Sequence, residues 1–161
     1  MIRCKWRAAL GAAVYVLLAG EARADVTAFL GVNGSPESRA VTGFSGGMTF
    51  VAFGFEGEYA STRESVDDVA PQLRTYMANG FVQNPIPISG LTFYGIAGAG
   101  LYRETLGDDS QTSFATNIGG GVKIDLAGPL QLRLDYRVFV LQGEALAKKP
   151  QRLYAGVNLK F

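Results

Sequence analysis

Histidine is absent from the 161-residue chain, and cysteine occurs once, as Cys4. The lack of imidazole removes the commonest general base and, together with the scarcity of thiols, the usual zinc ligands. A single cysteine cannot form an intramolecular disulfide, so other forces must hold the fold together. Charged residues make up 18% of the chain, and the formal net charge is +1. This balance is unlike that of nucleic-acid-binding domains, which carry basic patches.

The N-terminus has the three parts of a secretory signal peptide. Basic residues precede an apolar stretch over 8–20, and an Ala-Arg-Ala tripeptide supplies the small residues of a cleavage site before Asp25. The apolar stretch is shorter than the roughly 20 residues that a membrane-spanning helix needs. We therefore predict a cleaved signal peptide over residues 1–24 and one exported domain over residues 25–161.

Past Asp25, polar and apolar residues alternate with a period of two, which indicates β-strands rather than helices. The clearest cases are residues 130–140 and 152–161. Strands are predicted over 26–32, 41–50, 53–59, 73–83, 91–103, 116–124, 130–140 and 152–161. Their lengths bracket the 9–11 residues or so that a tilted strand needs to cross a bilayer. For residues 91–103 the facing stays open, because the segment is rich in Gly and Ala and neither face is clearly the apolar one.

Long polar connections alternate with short turns, as they do in up-and-down transmembrane barrels. The long connections are predicted at 33–40, 62–72, 104–111 and 141–150, and the short ones at 50–51, 84–90 and 127–129. The first short turn, near Phe50, has the least support because no Gly, Asn or Pro marks it. The predicted fold class is all-β, an eight-stranded antiparallel up-and-down transmembrane β-barrel.

The polar faces of these strands carry groups of opposite charge that can neutralise each other inside a narrow barrel. The predicted lumen charge network consists of Glu56, Glu58, Lys123, Arg133, Asp135, Arg137 and Arg152. Eight strands enclose a space that side chains of this size can fill, so a wide pore is not expected. Alternation also suits a soluble periplasmic lipocalin-like barrel with an apolar ligand inside, and this alternative stays open.

The second half of the chain contains the runs TYMANGFVQNP, LTFYGIAGAGLYRET and TNIGGGVKIDLAGPLQLRLDYRVF, and the ending QRLYAGVNLKF. These runs resemble the small outer-membrane β-barrel domain family, the eight-stranded OmpA-like and opacity-type surface proteins of Gram-negative bacteria. Asp135-Tyr136-Arg137 and the final Phe161 are the most specific parts of this resemblance. It implies residence in the outer membrane, contact with lipid and lipopolysaccharide, and no bound cofactor.

The alternating end of the chain also resembles the signal that the outer-membrane assembly machinery reads in its clients. In this sequence the corresponding residues are Tyr154, Val157, Leu159 and Phe161. The resemblance therefore implies that the assembly machinery is a partner during biogenesis.

No catalytic constellation is visible in the sequence, because a Ser–His arrangement is impossible without histidine. The Glu56 and Glu58 pair could serve as acid and base, but a structural role opposite lumen arginines is favoured. No metal site is predicted.

The expected role is structural support of the envelope or display of loops to an unknown surface ligand, and Lys148 and Lys149 could meet lipopolysaccharide at the rim. A lipid-modifying outer-membrane enzyme is a less favoured alternative.

Overall fold

The computed structural model describes residues 22–34, 38–63, 71–145 and 147–161, which form a closed barrel of eight antiparallel strands. Each strand pairs with its neighbours in sequence, and β8 returns to pair with β1. The strands are β1 Ala22–Gly34, β2 Ser38–Phe50, β3 Phe53–Thr62, β4 Gln72–Gln83, β5 Leu91–Leu106, β6 Asp109–Ala127, β7 Leu130–Leu141 and β8 Gln151–Lys160. The predicted fold class is confirmed.

The predicted signal peptide lies outside the described residues except for its last three, which belong to β1. Within the described ranges, no helix is long and apolar enough to cross a membrane.

The connections β1–β2, β3–β4, β5–β6 and β7–β8 lie at one end of the barrel, which we call the loop end. The other three connections lie at the opposite end, the turn end, together with the start of β1 and the end of β8. A two-residue turn at Val51 and Ala52 joins β2 to β3, as predicted. Val51 has a φ of 52°, a conformation that β-branched residues rarely adopt. Because a valine occupies this position, the sequence has no typical turn residue there.

The long connection predicted at 104–111 is wrong, because β5 and β6 continue through it as a hairpin. Leu106 pairs with Asp109, and Glu104 pairs with Gln111. Gly107, with a φ of 59°, provides the left-handed residue that so tight a hairpin needs. The strands therefore reach 16 and 19 residues, longer than expected. The polar residues at the tip of this hairpin suggest a loop when only the sequence is considered, but their backbones continue the hydrogen-bond ladder between β5 and β6.

Successive residues point alternately outward and into the barrel. The outward side chains are predominantly apolar and exposed: Leu30 is 68% exposed, Ile118 65% and Leu153 56%. The inward side chains are mainly polar or charged and buried. This distribution is the reverse of that in a soluble barrel, so the premise of the lipocalin-like alternative, an apolar interior, is wrong.

Candidate functional site

The barrel interior holds a balanced set of charges. Among the described residues, four acidic and four basic side chains are buried: Asp25, Glu56, Glu58, Asp135, Lys123, Arg133, Arg137 and Arg152. All seven residues predicted for the lumen are in this set, and Asp25 is an addition. Equal numbers of opposite charges are physically required here, because an unpaired ion buried away from water is very costly.

Three ion pairs cross the interior from β3 to β7. In the closed ring these strands are four positions apart and so face each other. Arg133 Nη1 lies 2.7 Å from Glu56 Oε2. Arg137 Nη2 lies 2.9 Å from Glu56 Oε1, and its Nη1 lies 2.9 Å from Glu58 Oε2. These bridges span the lumen and occupy its middle.

Asp135 holds the two arginines of β7 in place. The three residues share one face because they are two apart along the strand. Arg137 Nε lies 2.8 Å from Asp135 Oδ1, and Arg133 Nη2 lies 3.2 Å from Asp135 Oδ2. The Tyr94 hydroxyl donates to Asp135 Oδ2 at 2.5 Å and accepts from Arg133 Nε at 2.7 Å. Sequence reasoning missed Tyr94, because the facing of β5 could not be assigned.

Arg152 extends the network to β8. Its Nη1 lies 3.0 Å from Glu58 Oε1, and its Nη2 donates to Thr75 Oγ1 at 3.1 Å. The guanidinium lies over the Phe139 ring, 4.4 Å from the centroid, a favourable cation–π geometry. We call the connected set Glu56, Glu58, Arg133, Asp135, Arg137 and Arg152 the lumen network.

Of the predicted assembly-signal residues, Tyr154 faces the interior. Its hydroxyl accepts a hydrogen bond from Arg137 Nη2 at 2.9 Å, and its ring stacks on Phe29. Val157 and Leu159 are exposed on the outer face, as is Phe161 just after β8.

Glycines on β6 leave space for the lumen network. Gly119 pairs with Arg137 and Gly121 with Asp135 across the β6–β7 ladder. A Cβ on Gly119 would lie 2.8 Å from Arg137 Cγ, and one on Gly121 would lie 2.5 Å from the Tyr94 hydroxyl. The triple-glycine run is thus explained by close packing.

The structure does not join Lys123 to the lumen network. Its Nζ lies 2.9 Å from Asp25 Oδ2 and 5.1 Å from the centre of the Phe81 ring, nearer the turn end. A cavity of about 260 Å³ opens beside this pair, bordered also by Thr49 and Gln131. Asp25 was missed because it was treated only as the residue that follows the cleavage site.

The loop-end side of the interior is filled by apolar side chains. This buried cluster consists of Leu73, Met77, Tyr102, Ala115, Phe139, Leu141 and Ala145. Ala145 comes from the β7–β8 connection, and the Tyr102 hydroxyl donates to the backbone carbonyl of Gln142 in the same connection. Ion pairs thus occupy the middle of the interior, and apolar side chains occupy its loop-end side. Among the described residues, no group of three or more Cys, Asp or Glu side chains could hold a metal ion.

Solved outer-membrane barrels share this architecture. The N-terminal β-barrel domain of Pseudomonas aeruginosa OprF is 17% identical over 88% of this chain and 99% of that domain, with a TM-score of 0.69. Neisserial surface protein A is 21% identical over 87% of this chain and 96% of that one, with a TM-score of 0.66. The chain has the fold of the eight-stranded outer-membrane β-barrels. No family model matches the sequence, and no curated protein does.

This outer-membrane barrel fold also supports catalysis in one relative. The outer membrane enzyme PagL is 13% identical over 84% of this chain and 98% of its own length, with a TM-score of 0.53. Activity therefore has to be judged from side chains rather than from the fold. Here the buried ionisable groups are engaged with one another, and the sequence contains no histidine.

Proposed function

We propose that this chain is an integral outer-membrane β-barrel protein of a Gram-negative bacterium, without catalytic activity, that supports the envelope or displays its loops. The observation that carries the proposal is the distribution of side chains: apolar groups face outward around the barrel, and balanced charges fill its middle.

An apolar band suits hydrocarbon far better than water. Monomeric soluble proteins rarely expose contiguous apolar patches larger than a few hundred Å². In a membrane the same side chains contact acyl chains, and the closed ladder leaves no backbone edge unpaired. An inward arginine avoids the cost of about 2–4 kcal/mol that it would incur facing lipid at the bilayer centre.

The filled interior favours a structural or display role over transport. The bridges from Arg133 and Arg137 to the β3 carboxylates occupy the space through which a solute would pass. The carboxylates that could serve as acid and base are held by guanidinium groups, which supports the non-catalytic assignment.

The proposed partners follow from this location. Outer-membrane lipid and lipopolysaccharide contact the barrel wall, and the assembly machinery reads the end of the chain during biogenesis. The long connections, such as that between β7 and β8, are the parts available to a surface ligand.

The full-length gene expressed in a Gram-negative host tests the proposal. We expect the product in the outer-membrane fraction, beginning at Asp25, and migrating faster on a denaturing gel before boiling than after it. Purified protein in planar bilayers should give no stable conductance. Recovery in the soluble periplasmic fraction would overturn the membrane assignment, and a reproducible open channel would overturn the closed interior.

A further inference from the structure

The outward face of the described strand residues carries two charged side chains, and they are neighbours. Arg74 on β4 and Arg103 on β5 are directly opposite each other in the β4–β5 register. Tyr76 and Leu101, two residues away on the same face, are also a pair and are exposed. The residues between them, Thr75 and Tyr102, are fully buried. Both arginines therefore point away from the interior.

The pair lies just beyond the apolar band, toward the loop end. A row of outward residues crosses five strands below it: Phe44, Tyr59, Tyr76, Leu101 and Phe114. The ring centroids of Phe44 and Tyr59 are 5.5 Å apart, and those of Tyr59 and Tyr76 are 5.1 Å apart. Aromatic rows of this kind mark the interface between hydrocarbon and headgroups.

The next row toward the loop end is polar. Ser61 pairs with Arg74, and Arg103 pairs with Thr112, so hydroxyl groups flank the two guanidinium groups on both sides. Arg103 Nη2 donates to Ser110 Oγ at 3.1 Å. Arg74 Nε is buried and has no hydrogen-bond partner among the described residues.

Two like charges directly opposite each other on a sheet destabilise it. Among the described residues, neither Arg74 nor Arg103 forms an ion pair with an acidic side chain. The interior shows the opposite arrangement, with every buried arginine paired to a carboxylate. An anion from outside the chain would supply the counter-charge that the described residues do not provide.

We propose that Arg74 and Arg103 bind the phosphate group of an outer-leaflet lipid, which in the outer membrane is lipopolysaccharide. Guanidinium groups bind phosphate through paired, charge-assisted hydrogen bonds. The position of the pair selects a lipid over a free anion, because acyl chains below such a phosphate would lie against Tyr76 and Leu101. This inference rests on the proposed membrane location.

The test uses the full barrel, folded in detergent micelles. Binding of bis-phosphorylated lipid A is measured beside that of the same lipid with its phosphates removed. The variant Arg74→Gln with Arg103→Gln removes both charges. The control, Lys160→Gln, removes a partly exposed positive charge at the opposite, turn end, where Lys160 pairs with Asp125. A third variant, Arg74→Lys with Arg103→Lys, keeps the charge but loses the two-pronged geometry.

We expect bis-phosphorylated lipid A to bind the parent and the lysine control equally. Its affinity for the Arg74→Gln with Arg103→Gln variant should be at least about tenfold lower. The Arg→Lys variant should fall between them. Binding that is unchanged in the Arg→Gln variant, lost in the lysine control, or equal for the dephosphorylated lipid would overturn the assignment. Binding of inorganic phosphate alone to the parent as tightly as bis-phosphorylated lipid A would also overturn it.

A separate readout distinguishes this inference from the proposed function. Faster gel migration before boiling, after transfer into neutral phosphatidylcholine vesicles, reports folding and insertion of each variant. Failure of the parent to insert would refute the membrane assignment and, with it, the lipid site. Insertion of all variants with identical lipid A binding would refute the lipid site alone.

Discussion

Arg137 Nη1 lies 2.9 Å from Glu58 Oε2, although the two residues stand on opposite walls of the barrel. The same guanidinium also contacts Glu56 and Asp135, so one side chain neutralises parts of three carboxylates. Its side chain is fully buried, which leaves those carboxylates no water to replace it. Arg137 is therefore the residue on which the lumen network depends most.

Replacement of Arg137 by Met should lower the free energy of unfolding by about 3–5 kcal/mol, since it leaves buried carboxylates without a counter-charge. Urea titration of the barrel folded in lipid vesicles measures this. Arg63→Met makes the same chemical change at an exposed position in the β3–β4 connection, and we expect it to stay within about 0.5 kcal/mol of the parent. Equal stability of the two variants would contradict the role of Arg137.

The orientation of the apolar face can be tested with one substitution at two isoleucines. Ile118 is 65% exposed on the outer face of β6, whereas Ile86 is 77% exposed in the β4–β5 connection at the turn end. Ile118→Arg should reduce the stability of the membrane-inserted barrel by about 2–4 kcal/mol, and Ile86→Arg by no more than about 1 kcal/mol. If both variants fold and insert like the parent, Ile118 does not face hydrocarbon.

Two glycines of β5 should differ in their response to alanine. A Cβ on Gly100 would lie 1.9 Å from the backbone oxygen of Tyr76, so the ladder would have to shift. A Cβ on Gly95 would meet no atom within 4 Å. We expect Gly100→Ala to destabilise the barrel by about 1–3 kcal/mol, as measured by its urea midpoint, and Gly95→Ala to leave that midpoint near the parent value. A reversed order would mean that the β4–β5 packing is different.

The turn between β2 and β3 contains a strained residue. Val51 has a φ of 52°, which glycine adopts without steric cost. Val51→Gly should therefore stabilise the barrel by roughly 1 kcal/mol, seen as a higher thermal unfolding temperature. Ala52→Gly is the neighbouring control, because Ala52 does not have a positive φ. A gain at Ala52 but not at Val51 would place the strain elsewhere.

Alternation in the sequence is sufficient to predict a strand and its facing where the two faces of the strand differ strongly in polarity. β7 was predicted over 130–140 and spans Leu130–Leu141, because leucine and charged residues alternate almost without interruption. β5 carries small residues on both faces over 95–100, so its facing, and with it the role of Tyr94, is defined only in the closed barrel. The β5–β6 hairpin was missed because hydrogen-bonded polar residues read as a loop.

The interior was predictable as a set of residues but not as a set of pairs. Inward facing of Arg133 and Arg137 follows from alternation along one strand. Their pairing with Glu56 depends on β3 lying opposite β7, which is a property of the closed ring rather than of either segment. Lys123 was grouped with them by charge, yet it pairs with Asp25 nearer the turn end.

The long sequence separation of the bridging residues sets an order of events during biogenesis. Arg133 follows Glu56 by 77 residues, and Arg152 follows Glu58 by 94. Under the export proposed above, which proceeds from the N-terminus, both carboxylates on β3 reach the periplasm well before these cations do. Glu56 and Glu58 therefore gain their arginine partners only when β7 and β8, the last two strands, join the sheet. A nascent chain that stops short of β7 would enter the membrane with both carboxylates unneutralised.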